Sequence, residues 1–204
     1  MGSEMCIRDR IRIEGLARVP VAGVHAVTDA ELGRPLANVD ADAVARRLVG
    51  LPLIRTARVV RRWPDTLVVT VAEREPAAVV AAPGGGFRLL DRDGVEVERS
   101  ASRPAGLPVL DVDLAVAGPG GLRAALEVLS GLPGDLRAGL IGIGATSPDG
   151  VWFSLAKRGR VVWGSSEAGD AKAVALRALL AAAPGTASVF DVSAPTAPAV
   201  RPGR

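Results

Sequence analysis

Residues 57–76, ARVVRRWPDTLVVTVAEREP, constrain the fold more than any other part of the chain: they read as two strands joined by a turn and stopped by a proline. Along residues 57–63, Ala57, Val59, Arg61 and Trp63 fall on one face and Arg58, Val60 and Arg62 on the other, the period of a pleated strand. Residues 66–72 form the second strand, with Leu67, Val69 and Val71 on one face and Thr66, Val68 and Thr70 on the other. Pro64 holds φ near about −65°, which excludes positive-φ hairpin turns and predicts a loop of about four or five residues on a type I turn. Pro76 cannot donate to a ladder and restricts Glu75, so pairing is expected to stop there and a domain boundary to follow.

Before the hairpin, residues 11–15 alternate as a short strand, followed by a connection through Pro20 and Gly23. Thr28 and Glu31 have capping-box spacing and predict a short helix over residues 27–32, ended by Gly33. Asp40 is a candidate N-cap for a helix over residues 41–49, because its carboxylate can accept from first-turn amides and oppose the positive helix end. Val44, Leu48 and Leu51 make one apolar stripe there, with Arg46 and Arg47 outward. The order over residues 11–73 is therefore β-α-α-β-β.

After Pro76, strands are expected at residues 77–82, 87–90 and 95–98, the last two joined by the turn dipeptide Asp93-Gly94. Leu122, Leu126 and Leu129 mark a helix that ends near Gly131 and Pro133. Strands follow at residues 138–145, 151–156 and 160–163, then a helix over residues 170–183 closed by Pro184 and Gly185. Residues 189–192 form a last strand before a proline-rich tail expected to be loose. The fold class is α+β: the small β-α-α-β-β domain, then a second domain with a mixed or antiparallel sheet and two helices.

The net charge of +3 raises the question of nucleic acid, but only Lys157 and Lys172 are lysines, aromatic content is 3% and tyrosine is absent. A block of basic residues and a stacking platform are both missing, so no nucleic-acid partner is expected. Cys6 is the single cysteine, and His25, the one histidine, is placed in a loop without a nucleophile elbow. Asp91, Asp93, Glu96 and Glu98 are the best carboxylate cluster for a cation or an acid pair, yet the turn accounts for Asp93 and the calcium-loop spacing fails because Gly94 arrives before a third ligand. Gly84, Gly85 and Gly86 open no helix and read as a flexible turn. Trp152 and Trp163 are assigned to the core. No catalytic, metal or cofactor-binding set is expected.

The run VVRRWPDTLVVTVAEREPAAV resembles the signature of the bacterial cell-division FtsQ/DivIB family: an Arg-x-Trp-Pro turn, an aliphatic strand, then Glu-Arg-x-Pro. GRPLANVD, RLLDRDGVEVE and GLPVL are similar to further segments of that family. The resemblance implies a POTRA domain over residues 11–75, with Leu36 and Val39 plugging its core, an FtsQ-type β-domain over residues 76–198, and a tail at residues 199–204. It also implies a transmembrane helix just before residue 11. The segment 1–10, MGSEMCIRDR, matches no part of that plan and is expected to be a cloning or sequence-assembly scar. No run of about 18 uncharged apolar residues is present.

By resemblance, the function is that of a non-enzymatic hub at the division septum, on the extracytoplasmic side of a single-pass membrane protein. Its partners are FtsB and FtsL, coupled through them to the septal peptidoglycan synthase. The family's partner-binding edge maps to Ala187, Ser188, Val189, Phe190, Asp191 and Val192, with flanking Ala199, Val200 and Arg201. Strand addition there is the expected mechanism, with Phe190 either the anchor or a core residue. The rival readings are a POTRA chaperone feeding a barrel and a cell-wall hydrolase using Asp91.

Overall fold

In the computed structural model, which describes residues 10–182 and 188–202, the chain divides between Arg74 and Glu75 into two units, each built on its own sheet. The first contains β1 (Arg10–Glu14), α1 (Val21–Thr28), 3₁₀ turns at Asp29–Glu31 and Leu36–Asn38, α2 (Ala41–Val49), β2 (Ile54–Arg62) and β3 (Thr66–Glu73). Its sheet runs β1-β3-β2, with β1 parallel and β2 antiparallel to the central β3. This is the mixed α+β architecture expected of a POTRA domain.

Asp40 caps α2, its Oδ1 accepting from the Ala43 amide at 2.9 Å. Val44 and Leu48 are fully buried against Leu36, Val39, Val59, Leu67, Val69 and Val71. Burying each such aliphatic side chain contributes about 1.5–3 kcal/mol before conformational entropy is charged. Glu73, at the end of β3, fastens the β1–α1 connection: its carboxylate accepts from the amides of Ala17, Arg18 and Val19 at 2.7–3.0 Å. Burial alone would raise its pKa, but the three amides outweigh that and hold it below the ordinary value.

Four expectations for this unit are corrected. The first helix begins at Val21, with Pro20 at its N-cap position, and Thr28 closes it rather than opening it. The Thr28 hydroxyl donates back to the Val24 carbonyl at 3.1 Å, the local bond a threonine makes when the helix already runs through it. Glu31 therefore caps nothing; it accepts from Arg47 at 2.7 Å and Arg34 at 3.2 Å, and the Arg47 bond outweighs burial to lower its pKa. His25 lies within α1, not in a loop, 3.1 Å from Asp29. The β2–β3 turn spans only Trp63, Pro64 and Asp65, and the Trp63–Pro64 peptide is cis. Arg10, grouped by sequence with the preceding residues, already pairs with Thr66 in β1.

The second unit contains β4 (Ala78–Ala81), β5 (Phe87–Leu90), β6 (Glu96–Ser100), β7 (Val109–Val112), α3 (Leu114–Gly131), α4 (Gly134–Ala138), β8 (Leu140–Ala145), β9 (Val151–Leu155), β10 (Gly159–Gly164), α5 (Gly169–Ala182), β11 (Ser188–Asp191) and β12 (Ala199–Pro202). Its nine strands form one mixed sheet in the order β12-β11-β10-β9-β8-β7-β4-β5-β6. Ala138 ends a short helix instead of opening a strand, so the described helices number three rather than two. α3 is interrupted at Gly118, whose φ of 62° breaks the helical path just before Pro119 restarts it.

Phe190, Val161, Phe153, Ile143 and Leu110 align across five adjacent strands, and all are buried. Ala124, Ala125, Leu126, Val128 and Leu129 of α3 and Ala173 and Leu176 of α5 join them in one core. Trp163 is in that core, 5.5 Å from Phe153 between ring centroids, whereas Trp152 is only half-buried on the opposite face. Asp91 is buried because it builds its turn, accepting from the amides of Asp93 and Val95 at 3.0 and 2.8 Å.

Candidate functional site

The end of the large sheet is one strand further out than the sequence suggests. β11 is not an edge: it pairs in parallel with β10 and antiparallel with β12, so Ser188, Val189, Phe190 and Asp191 are flanked on both sides. Phe190 is fully buried and serves the core rather than a surface anchor; Val192 is fully buried too. Ala187 lies outside the described residues. The tail expected to be loose supplies the outer strand, pairing Ala199 with Asp191, Val200 with Phe190, Arg201 with Val189 and Pro202 with Ser188.

The hydrogen-bond parity of this edge follows from one contact. The Val192 amide donates to the Val162 carbonyl, so alternate residues 188, 190 and 192 of this strand direct their backbone groups toward β10. Val189 and Asp191 must then face β12 and form the hydrogen-bonded pairs with Arg201 and Ala199, leaving Val200 and Pro202 in non-bonded pairs. Val200 consequently turns its amide and carbonyl outward. Pro202 and, by the same alternation, Pro198 also face outward, but neither has an amide hydrogen. Val200, 38% exposed as a residue, is left as the single outward donor between two prolines.

On the face away from the helices, Arg201 stands 3.5 Å from Asp191, whose Oδ1 also accepts from the Ser193 amide and hydroxyl. Val189 and Arg160 continue the row inward. The Arg160 guanidinium lies over the Trp152 ring, 3.6 Å from its centroid. Trp152 in turn lies over Gly144, where a β-carbon would come within 2.5 Å of the indole. Sequence reasoning did not include Arg160 and Trp152 in the site. The alternation of Trp152 and Ser154 with buried Val151, Phe153 and Leu155 was the available signal.

Elsewhere, among the described residues, no three His, Cys, Asp or Glu side chains are grouped to hold a metal ion, and no helix is long and apolar enough to cross a membrane. The Asp91 carboxylate is committed to its turn amides.

A family model described as POTRA domain, FtsQ-type matches residues 9–74, and one described as cell division protein FtsQ/DivIB, C-terminal matches residues 78–193. Proteins named cell division protein FtsQ from Streptomyces bingchenggensis and Streptomyces griseus are each 38% identical over 98% of this chain. The chain spans 77% of the first and 99% of the second. A protein of the same name from Mycolicibacterium smegmatis is 38% identical over 94% of the chain, which spans 56% of that relative. Sheet architecture, both family matches and these relatives agree: the chain belongs to the FtsQ/DivIB family and has a role in cell division.

Proposed function

We infer that this chain is a non-enzymatic scaffold on the extracytoplasmic side of the septal membrane, binding FtsB- and FtsL-type partners by strand addition and linking them to septal peptidoglycan synthesis. The observation that carries this reading is the outer strand β12, whose outward amide and carbonyl at Val200 have no partner in the sheet. An incoming strand gains a two-bond pair at Val200 and accepts nothing from Pro198 or Pro202, which offer only their carbonyls, so Val200 is the one position of this edge where a full pair can form. Side chains on alternate positions of the partner then meet Val200 at the edge of the core face, or Arg201 and Val189 on the other. The dyad of Arg201 and Asp191 offers charge of both signs for selecting among such strands.

The test is calorimetric titration of the folded chain with the extracytoplasmic segments of FtsB and FtsL from the same genome, beside Val200→Pro. That substitution removes the one outward donor without touching a bond to β11. Saturable binding lost in the variant, with an unchanged melting temperature, is the expected result. Binding that the variant retains rejects this edge, and a folded wild-type chain that binds neither segment rejects the scaffold reading.

A further inference from the structure

The first unit has a sheet face that its helices leave bare. Leu67, Val69 and Val71 of β3 point into the core, so the register sends the alternate residues Thr66, Val68 and Thr70 to the other side. Alongside them stand Arg10, Arg12 and Glu14 from β1 and Arg58, Val60 and Arg62 from β2. All four arginines are exposed. Glu14 is the one acid in these rows, 2.8 Å from Arg12; among the described residues Arg10, Arg58 and Arg62 form no ion pair.

This concentration of charge is local. Residues 10–74 carry eleven arginines against seven acidic side chains, whereas residues 75–202 carry twelve basic against thirteen acidic. The basic excess of the chain therefore resides in the small unit, and the bare face holds four of its arginines. Arg10, Thr66 and Arg62 form one row about 10 Å wide across three strands. A shallow depression lined by Arg10, Arg12, Arg62, Thr66 and Val68 lies over it.

We propose that this face binds the surface of an anionic phospholipid membrane. Guanidinium forks suit phosphate oxygens, and three of them border one depression. Val60, 43% exposed, and Val68 occupy the middle of the face where nucleobase binding would need a stacking ring. Trp63, 62% exposed, projects from the β2–β3 turn at the end of the sheet that carries Arg10 and Arg62. An indole beside arginines and short aliphatic side chains on a flat face matches the chemistry of the headgroup layer. An acidic peptide shares the charge but leaves the exposed valine and tryptophan unused. This inference stands apart from the reading of β12, since it concerns the other unit and its test contains no partner strand.

The experiment is sedimentation of the 204-residue chain with vesicles of phosphatidylglycerol and phosphatidylcholine, compared with phosphatidylcholine alone. It is run at about 50 mM and about 500 mM salt, where screening separates surface charge from apolar adsorption. The expected result is binding to the anionic vesicles only, lost at high salt, and weakened roughly thirtyfold by Arg58→Ser with Arg62→Ser at an unchanged melting temperature. A control pair, Arg46→Ser with Arg123→Ser, removes the same charge elsewhere and should bind as the wild type does. No binding to anionic vesicles overturns the proposal. So does equal weakening in the control pair, or binding to soluble polyglutamate without binding to vesicles.

Discussion

The nine-stranded sheet ends in two edges that solve the same problem differently. A free edge is a row of unpaired backbone groups and invites another strand. At β6 the defence is charge and irregularity: Glu96 accepts from Arg99 at 2.6 Å and lies 3.6 Å from Arg88, Glu98 is exposed, and the register with β5 shifts between Leu89 and Leu90. At β12 the defence is covalent, because two prolines carry no amide hydrogen, and it leaves a gap at Val200. Charged side chains make any burial of the β6 edge costly, whereas the prolines of β12 leave one backbone position with both groups free, where the proposed strand addition would pair. The difference between the edges is thus between one guarded along its length and one left open at a single position.

The contrast breaks most readily at its inner boundary. Phe190→Ala should cost about 3–5 kcal/mol in urea denaturation, while Val200→Ala, directly opposite it on β12, should cost below about 1 kcal/mol. Equal costs would mean that β12 is as much a part of the core as β11. Pro202→Val supplies a second outward donor, worth roughly 0.5–1.5 kcal/mol, and should tighten partner binding about two- to tenfold by calorimetry. Affinity left unchanged would deny the prolines their part in selection. At the other end, Glu98→Val with Arg99→Val should leave stability within about 0.5 kcal/mol yet produce concentration-dependent self-association by sedimentation. A monomer at every concentration would show that charge is not what guards β6.

The smallest effect is that of pH on β6. The Arg99 hydrogen bond, against a desolvation cost, holds the Glu96 carboxyl below its ordinary 4.5. A depressed carboxyl stabilises the fold above its unfolded pKa and loses that contribution as pH falls through the folded value. Glu96→Gln should therefore melt slightly below the wild type at about pH 7 and together with it at about pH 2. A gap between the two proteins that persists in acid would assign the effect to something other than this ion pair.

What the sequence made legible was local. Asp40 announces α2 because a cap and its amide lie three residues apart, and the β2–β3 hairpin announces itself by two adjacent alternations. The family resemblance rested on that hairpin. The misplaced first helix followed from the spacing of Thr28 and Glu31, which has two physical uses; tertiary contacts with Arg34 and Arg47 decided between them. β12 was hidden because a proline-rich tail reads as loose until a neighbouring strand is supplied, and that neighbour's own register is set by β10. The outer strand of the sheet is therefore one beyond the strand that the sequence marks, and of the two roles left open for Phe190 the structure gives it the core one. Arg160 and Trp152 were missed because their adjacency depends on pairing between strands, which no single strand encodes.

The three tryptophans give the molecule a built-in set of optical reporters. With no tyrosine in the chain, ultraviolet emission comes from Trp63, Trp152 and Trp163 without a tyrosine background. Trp63, 62% exposed, should emit at long wavelength and be quenched first by iodide, whereas Trp163, 2% exposed, should emit in the blue and resist quenching until its unit opens. Trp152, beneath Arg160 on the face that leads to β12, has an intermediate setting, and its emission would register a change beside that edge. Spectral shift and quencher access could then follow the two units and the edge separately in an unlabelled chain.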